Sequence, residues 1–229
     1  GVSSVLSSPD YPAGIWNPTT CNYSSRSGTA ITAVAIHFVQ GSYAGCISWF
    51  KNCSASASSH YVVRSSDGQV TQMVYESDKA WHAASANPYT LGTEHEGYIN
   101  NASWFTNAMY QSSADLTRDM CTSNGINPLR CYFGPGCSGT TQQCEQGNCV
   151  KIKGHQMFAS QTHSDPGPLF NWEKFYKLIN NTPVVTTVTA TSGTFYDSGL
   201  AAANYANDER KLWLFQPSGG ATSVSMNFT

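Results

Sequence analysis

Charged residues are scarce in this 229-residue chain, at 11% of positions, and neither sign of charge dominates. With 12 Lys and Arg against 14 Asp and Glu, the formal net charge is −2 at pH 7. This balance lacks the basic surface that binds nucleic acid, so we expect no nucleic-acid partner. Hydrophobic residues make up 40% of the chain, which is enough to bury a core and indicates a folded protein.

Long hydrophobic runs are missing as well. No stretch approaches the roughly 18 apolar residues of a membrane-spanning helix, so we expect no transmembrane segment. No basic-then-apolar leader begins at Gly1, and we expect any secretion signal to have been removed already or never to have been part of this sequence. The compact zinc-protease motif His-Glu-x-x-His is also absent.

Cysteines, in contrast, are plentiful: the chain has eight, and four of them fall within residues 131–149. A dense, even set of this kind predicts disulfides formed in an oxidising compartment, and hence a secreted, extracellular or periplasmic protein. A structural zinc knot matches less well, because the cluster contains no two-residue Cys–Cys gap and no histidine. The connectivity stays open, since eight cysteines allow on the order of a hundred pairings.

Apolar patterning alternates between strand-like and helix-like segments over residues 1–181. A continuous, β-branched apolar run is typical of a strand buried on both faces, and Asp67-Gly68 between two apolar runs is typical of a hairpin. The pattern predicts strands over residues 31–39, 60–64, 69–75 and 93–99, and helices over residues 103–121 and 169–179. We therefore expect an α/β domain with a central mixed β-sheet flanked by helices.

The character of the chain changes at residue 182. Residues 182–229 contain a Thr- and Val-rich segment, short strand-like runs and Gly, Ser and Asn turns. A β segment this short is too small to bury a good core alone. We expect it either to pack on the first domain or to open a longer β module.

Two of the six histidines lie at or just after the ends of predicted strands, where metal ligands are often found. His37 lies near the end of the buried apolar strand, His155 follows another short strand candidate, and Asp165 comes ten residues later. Two histidines and one carboxylate are a familiar ligand set for catalytic zinc, and neighbouring strand ends suit a cleft on a rigid sheet. Spacing alone is a weak indication, because a single histidine in an apolar strand is more often a hydrogen-bonded core residue.

Seven short blocks then occur in a characteristic order: Ile36-His37, Ser59–Arg64, Asp67-Gly68, Ala80–Ala83, Leu91–Gly97, Gly154-His155 and Asp165–Trp172. This succession resembles the zinc-dependent N-acetylmuramoyl-L-alanine amidases, which include phage lysozyme-like amidases, bacterial peptidoglycan-recycling amidases and animal peptidoglycan recognition proteins. The resemblance covers about residues 30–180. It implies a central mixed sheet with helices packed on it and a zinc cleft on one side.

The resemblance also implies roles for individual residues. The zinc ligands of the family match His37, His155 and Asp165, and its catalytic acid matches Glu94. His163 stands where many members have a lysine, which implies donation to the developing oxyanion. The alternative is that His163 competes with Asp165 for the metal.

Four further residues are candidates near this site. Trp81, His82 and Tyr89 are candidate walls of a substrate groove, although a packed tryptophan is an equally good interpretation of Trp81. Glu96 shares a strand face with Glu94, which makes it a candidate for orienting a zinc ligand.

Two features outside the site also follow from resemblance. Family members often have a disulfide just after the first ligand strand, which implies a Cys46–Cys53 pair here. Residues 192–199, 204–205 and 223–229 resemble the first half of a CUB-like β-sandwich, with an ordinary β tail as the alternative.

The implied reaction is zinc-dependent hydrolysis of the amide bond between N-acetylmuramic acid and L-alanine. The partner would be peptidoglycan or a muropeptide, acted on by a monomer. The alternative is a recognition module that binds peptidoglycan without cutting it. Family members of that kind have usually lost a metal-ligand position. All three ligand positions and Glu94 are present here, which favours an enzyme.

Overall fold

The computed structural model describes residues 8–129 and 149–180, together with the backbone of two short strands nearer the C-terminus. The chain divides into two units, Gly1–Asn180 and Asn181–Thr229. In the second unit, β9 (Val185–Val188) and β10 (Leu212–Phe215) pair in parallel. The segments that resemble a CUB-like module, residues 192–199, 204–205 and 223–229, lie outside the described residues.

The first unit is built on a mixed six-stranded sheet, as the sequence predicts. Its strand order is β1-β5-β4-β7-β3-β8, in which β4 and β5 are antiparallel and the other neighbours are parallel. A separate antiparallel ribbon joins β2 and β6. The strands are β1 (Ile15–Trp16), β2 (Tyr23–Ser25), β3 (Ala33–Phe38), β4 (Tyr61–Val63), β5 (Val70–Gln72), β6 (Asp78–Ala80), β7 (Thr90–His95) and β8 (Ile152–Gly154).

Three helices cover the two faces of this sheet: α1 (Tyr43–Lys51), α2 (Asn107–Asn124) and α3 (Trp172–Asn180). Successive side chains of a strand point to opposite faces, so β3 contributes to two different clusters. Val34 and Ile36 pack with residues of α2 and α3, whereas Ala35 packs with Phe158 on the other face. On that second face α1 packs its apolar side chains against Val62 of β4. Burial on both faces explains why β3 is a continuous apolar run rather than an alternating one.

Capping side chains set the helix boundaries. Thr106 accepts a hydrogen bond from the Met109 amide, so α2 begins at Asn107, later than its apolar pattern predicts. Gly125, in the left-handed region at φ 64°, ends the same helix. Asn171 accepts from the Lys174 amide, which starts α3 after the predicted residue 169. Within the described part of the chain, no helix has the length and apolarity that crossing a membrane requires.

The disulfide near α1 differs from the predicted Cys46–Cys53 pair. Cys53 is instead bonded to Cys21, with Cα atoms 5.5 Å apart, which is ordinary disulfide geometry. Cys46 is a free thiol that is buried against Phe50, so its side chain faces the core rather than Cys53. Cys149 is also disulfide-bonded. The other cysteines of the predicted cluster, at positions 131, 137 and 144, lie outside the described residues.

Candidate metal and catalytic site

Two histidines meet at the carboxyl edge of the sheet because their strands are neighbours. The parallel pairing of β3 with β8 sets Ile36 opposite Gly154. His37 and His155 are the residues that directly follow this pair in the sequence. Both imidazoles are buried, and their ring centroids are 4.4 Å apart.

Asp165 reaches these histidines from a later loop that packs directly on β8. A Cβ atom on Gly154 would collide with the ring of Pro166, so only glycine lets the loop approach this closely. The Asp165 carbonyl accepts from the Gln156 amide at 3.1 Å, which fixes the loop beside His155. The Asp165 carboxylate then faces both imidazoles: Oδ2 is 3.1 Å from His37 Nδ1 and Oδ1 is 3.2 Å from His155 Nδ1.

These three side chains form a site that can hold a metal ion. One donor atom from each of His37, His155 and Asp165 lies within 4.8 Å of the others, and all three residues are buried. Burial, followed by repulsion from His155, lowers the pKa of His37 to about 4 and keeps its imidazole neutral. Burial acts to raise the pKa of Asp165, but its close contacts with the imidazoles of His155 and His37 hold that pKa well below its ordinary value. A neutral imidazole and an ionised carboxylate are the protonation states that a metal ion requires.

Glu94 lies on the same face of the sheet as the three donors. It is directly opposite His37 in the β3–β7 register, and both residues line one cavity. Its Oε2 atom is buried and makes no hydrogen bond to any described residue. Burial, followed by the Asp165 charge, raises the pKa of Glu94 well above its ordinary range. A buried carboxyl beside a metal site is a candidate general base or acid.

His163 lies at the exposed margin of the site. Its side chain is 64% exposed, its ring stacks on that of His155 at 4.3 Å, and its Nδ1 is 3.9 Å from Asp165 Oδ1. It is not a member of the three-donor group. Partial burial, followed by the charge of His155, lowers the pKa of His163.

The cavity above the three donors has a volume of about 870 Å³ and is lined from three sides. Helix α1 supplies one wall, which includes Trp49. Residues 56–58 before β4 and Trp81 after β6 supply another. Trp49 is 54% exposed, an unusual state for so large an apolar side chain. Trp49 is not among the residues selected from the sequence, in which no helix is predicted over residues 43–51. The third wall consists of Gln161, Thr162, His163, Ser164 and Asp165.

Three of the predicted site residues make specific contacts in the structure. His82 lines the cavity, and its Nδ1 atom is 2.9 Å from His37 Nε2, so it contacts a site histidine directly. Tyr89 is partly buried and packs against the apolar cluster that contains Phe158. Glu96 contacts neither site histidine among the hydrogen bonds described: its carboxylate accepts from the Tyr43 and Ser65 amides, and so holds the start of α1.

Comparison with known proteins identifies sequence relatives of this chain. The family model for N-acetylmuramoyl-L-alanine amidase matches residues 27–168. N-acetylmuramoyl-L-alanine amidase A of Achromobacter lyticus is 42% identical over 172 residues, which cover 75% of this chain and 96% of that protein. The 1,6-anhydro-N-acetylmuramyl-L-alanine amidase AmpD of Escherichia coli is 29% identical over 131 residues, covering 54% of this chain and 58% of AmpD.

Solved structures show the same architecture. A crystal structure of an AmpD derivative superposes with a TM-score of 0.57 at 22% identity, covering 76% of this chain and 99% of the other. The Staphylococcus aureus hydrolase AmiA, solved with its ligand, gives a TM-score of 0.56 at 18% identity, with 76% and 83% covered. Fold and sequence together define an amidase enzyme. The chain belongs to the N-acetylmuramoyl-L-alanine amidase family.

Proposed function

We propose that this chain is a zinc-dependent hydrolase that cleaves the amide bond between N-acetylmuramic acid and L-alanine in peptidoglycan. The observation that carries the proposal is the buried group of His37, His155 and Asp165 at the floor of a cavity that also contains Glu94. Three protein ligands that leave one position open are the usual arrangement of catalytic zinc. When bound, zinc supplies a water of lowered pKa and a Lewis acid for the amide carbonyl.

Glu94 is the proposed proton-transfer residue. Its buried Oε2 has no hydrogen-bond partner among the described residues, so it is available to accept a proton from the attacking water. Once protonated, the same carboxyl donates that proton to the departing amine of L-alanine, since a single general acid–base group can serve both steps.

His163 is the proposed hydrogen-bond donor to the carbonyl oxygen as negative charge develops there. The supporting observation is its place on the cavity wall, stacked on His155 and outside the three-donor group. A donor of this kind contributes roughly 3–4 kcal/mol to lowering the barrier.

Two tryptophans are proposed to hold the glycan or stem peptide in the cavity. Trp81 is anchored by a hydrogen bond from Nε1 to Ser24 at 3.2 Å, whereas Trp49 presents a largely exposed ring. A rigid aromatic face of this kind can cover the apolar face of a sugar ring or the methyl group of L-alanine.

The proposed location is outside the cytoplasm, in a secreted or periplasmic setting. The Cys21–Cys53 disulfide supports this location, because such bonds persist in oxidising compartments.

The test is mass spectrometry of purified muropeptides after incubation with the enzyme, with and without a chelator. We expect a free N-acetylmuramic acid-containing sugar and a peptide with a new L-alanine N-terminus, and we expect both to disappear with chelator and return with added zinc. Binding to the muropeptide without cleavage in the zinc-loaded protein would instead establish a recognition module.

A further inference from the structure

The two site histidines each make a hydrogen bond through the ring nitrogen that faces away from Asp165. His37 Nε2 is 2.9 Å from His82 Nδ1, and His155 Nε2 is 2.9 Å from Gln161 Oε1. A histidine that binds a metal through one nitrogen carries its proton on the other, so these outer contacts decide which nitrogen is free.

The Gln161 contact determines the proton position on His155. The amide nitrogen of Gln161 donates to the carbonyls of Ala83 at 3.1 Å and Ala159 at 3.2 Å. A backbone carbonyl can only accept, so the Gln161 amide cannot be flipped and its Oε1 faces His155. His155 Nε2 must therefore carry a proton. In the neutral ring that metal binding requires, the lone pair then lies on Nδ1, toward Asp165.

The His82 contact leads to the same result for His37. The Thr90 hydroxyl donates to the carbonyl of Ala86 at 2.7 Å, which leaves its oxygen to accept from His82 Nε2 at 3.3 Å. With its proton on Nε2, neutral His82 is an acceptor at Nδ1, and His37 Nε2 donates to it. The lone pair of His37 is then on Nδ1, again toward Asp165.

Two series of hydrogen bonds therefore orient two imidazole lone pairs toward one ionised carboxylate. Nδ1 of His37 and Nδ1 of His155 are 3.1 Å and 3.2 Å from oxygens of Asp165, and three acceptors this close repel one another unless a cation lies between them.

We propose that His82 and Gln161 are positioning residues that set the tautomer and orientation of the two zinc-binding histidines. This inference relies on the zinc site of the proposed function and replaces the groove-wall role that the sequence suggested for His82.

Both series of hydrogen bonds end on the segment of residues 82–88, and further hydrogen bonds fix that segment in place. The carbonyls of Ala83 and Ala86 are the last acceptors of the two series of hydrogen bonds. Asn87 Oδ1 accepts from the amides of His82 and Ala83 at 3.0 and 2.6 Å. Buried Arg26 donates to the carbonyls of the same segment. A Cβ at residue 92 would lie 2.7 Å from the His82 ring, so glycine there leaves room for it.

The experiment measures the zinc dissociation constant by competition with a chromophoric chelator, and the visible absorption spectrum of the cobalt-substituted enzyme. His82→Leu removes the acceptor and should weaken zinc binding about 10–100-fold. His82→Asn keeps an acceptor oxygen near the position of Nδ1 and should restore most of that loss. Gln161→Met tests the second series of hydrogen bonds independently and should weaken zinc binding to a similar extent. In both weakened variants the cobalt spectrum should change, because the ligand rings are no longer held in one orientation.

Gln72→Met is the matched control. Gln72 is a buried glutamine on β5 whose side chain bonds to Asp10 and to the Val74 carbonyl, and it makes no hydrogen bond to His37 or His155 in the described structure. It should lower thermal stability but leave zinc affinity unchanged. Unchanged zinc affinity and cobalt spectra in both His82→Leu and Gln161→Met would overturn the inference. These readouts do not depend on turnover, so a chain that binds zinc without cleaving muropeptides would refute the proposed function and leave this test intact.

Discussion

At the scale of single residues, the chemistry depends on groups that the surrounding protein leaves partly unsatisfied. Glu94 Oε2 is buried without a partner among the described residues, next to a carboxylate that raises its pKa further. An arrangement of this kind destabilises the fold locally, and such strain is typical of active sites. It keeps a proton acceptor ready in the cavity.

Glu94→Gln preserves the size of the side chain and removes its ability to exchange a proton. We expect turnover of muropeptide to fall by about 10²–10⁴-fold, with zinc content and affinity unchanged because Glu94 is outside the donor group. Turnover assays combined with elemental analysis check this, and near-normal turnover would remove Glu94 from the mechanism.

His163→Ala separates the two roles considered for that residue. As an oxyanion donor, its loss should lower kcat by about 10²–10³-fold while zinc stays bound. His163→Lys, which restores a donor, should recover much of the activity. Loss of zinc from the alanine variant would instead identify His163 as a ligand.

At the scale of elements, the site depends on how closely the Asp165 loop packs on β8. The loop lies against Gly154, and His37 and His155 are neighbours only because β3 and β8 are paired in parallel. Motion of either element changes the distances between all three donors.

Gly154→Ala should displace the Asp165 loop and leave the sheet intact. We expect zinc affinity to fall and turnover to drop about 10²-fold or more, the usual effect of misplacing a catalytic group by about 1 Å. Gly41→Ala is a suitable control, because a Cβ there meets nothing closer than 3.9 Å. Equal zinc affinities in the two variants, measured at equal helical content by circular dichroism, would contradict this account.

At the scale of the whole molecule, a covalent link supplements a core of moderate size. The Cys21–Cys53 disulfide closes a sequence separation of 32 residues and ties the segment after α1 to the chain before β2. A bond of this span mainly restricts the unfolded chain.

Cys21→Ala combined with Cys53→Ala should lower the free energy of unfolding by about 3–4 kcal/mol. Denaturant unfolding of both proteins, with and without reductant, measures this loss. Reductant should destabilise the wild-type chain more than the double variant, and equal effects would show that the bond contributes little.

Much of the fold could be predicted from local patterns. The apolar run of β3, the hairpin around Asp67-Gly68 and the helix stop at Gly125 all rest on neighbouring residues, and the structure contains each of them. The predicted strand over residues 93–99 is different: β7 covers Thr90–His95, since the chain turns at Gly97 with φ 122°. Glu96 therefore lies beyond the strand and binds the start of α1 instead of a histidine.

The sequence by itself determined the alternation of strands and helices, the family, and the candidate ligands His37, His155 and Asp165, because each is expressed in a short run of residues. Only the tertiary structure decided that Cys53 pairs with Cys21, that Tyr89 packs against the cluster containing Phe158, and that Gln161 and His82 contact the site histidines. Several of these contacts join residues far apart in the sequence: the separation is 32 residues for the disulfide and 45 for His37 and His82. Their partners are chosen by distance and hydrogen-bond direction in the folded chain, which no local pattern records.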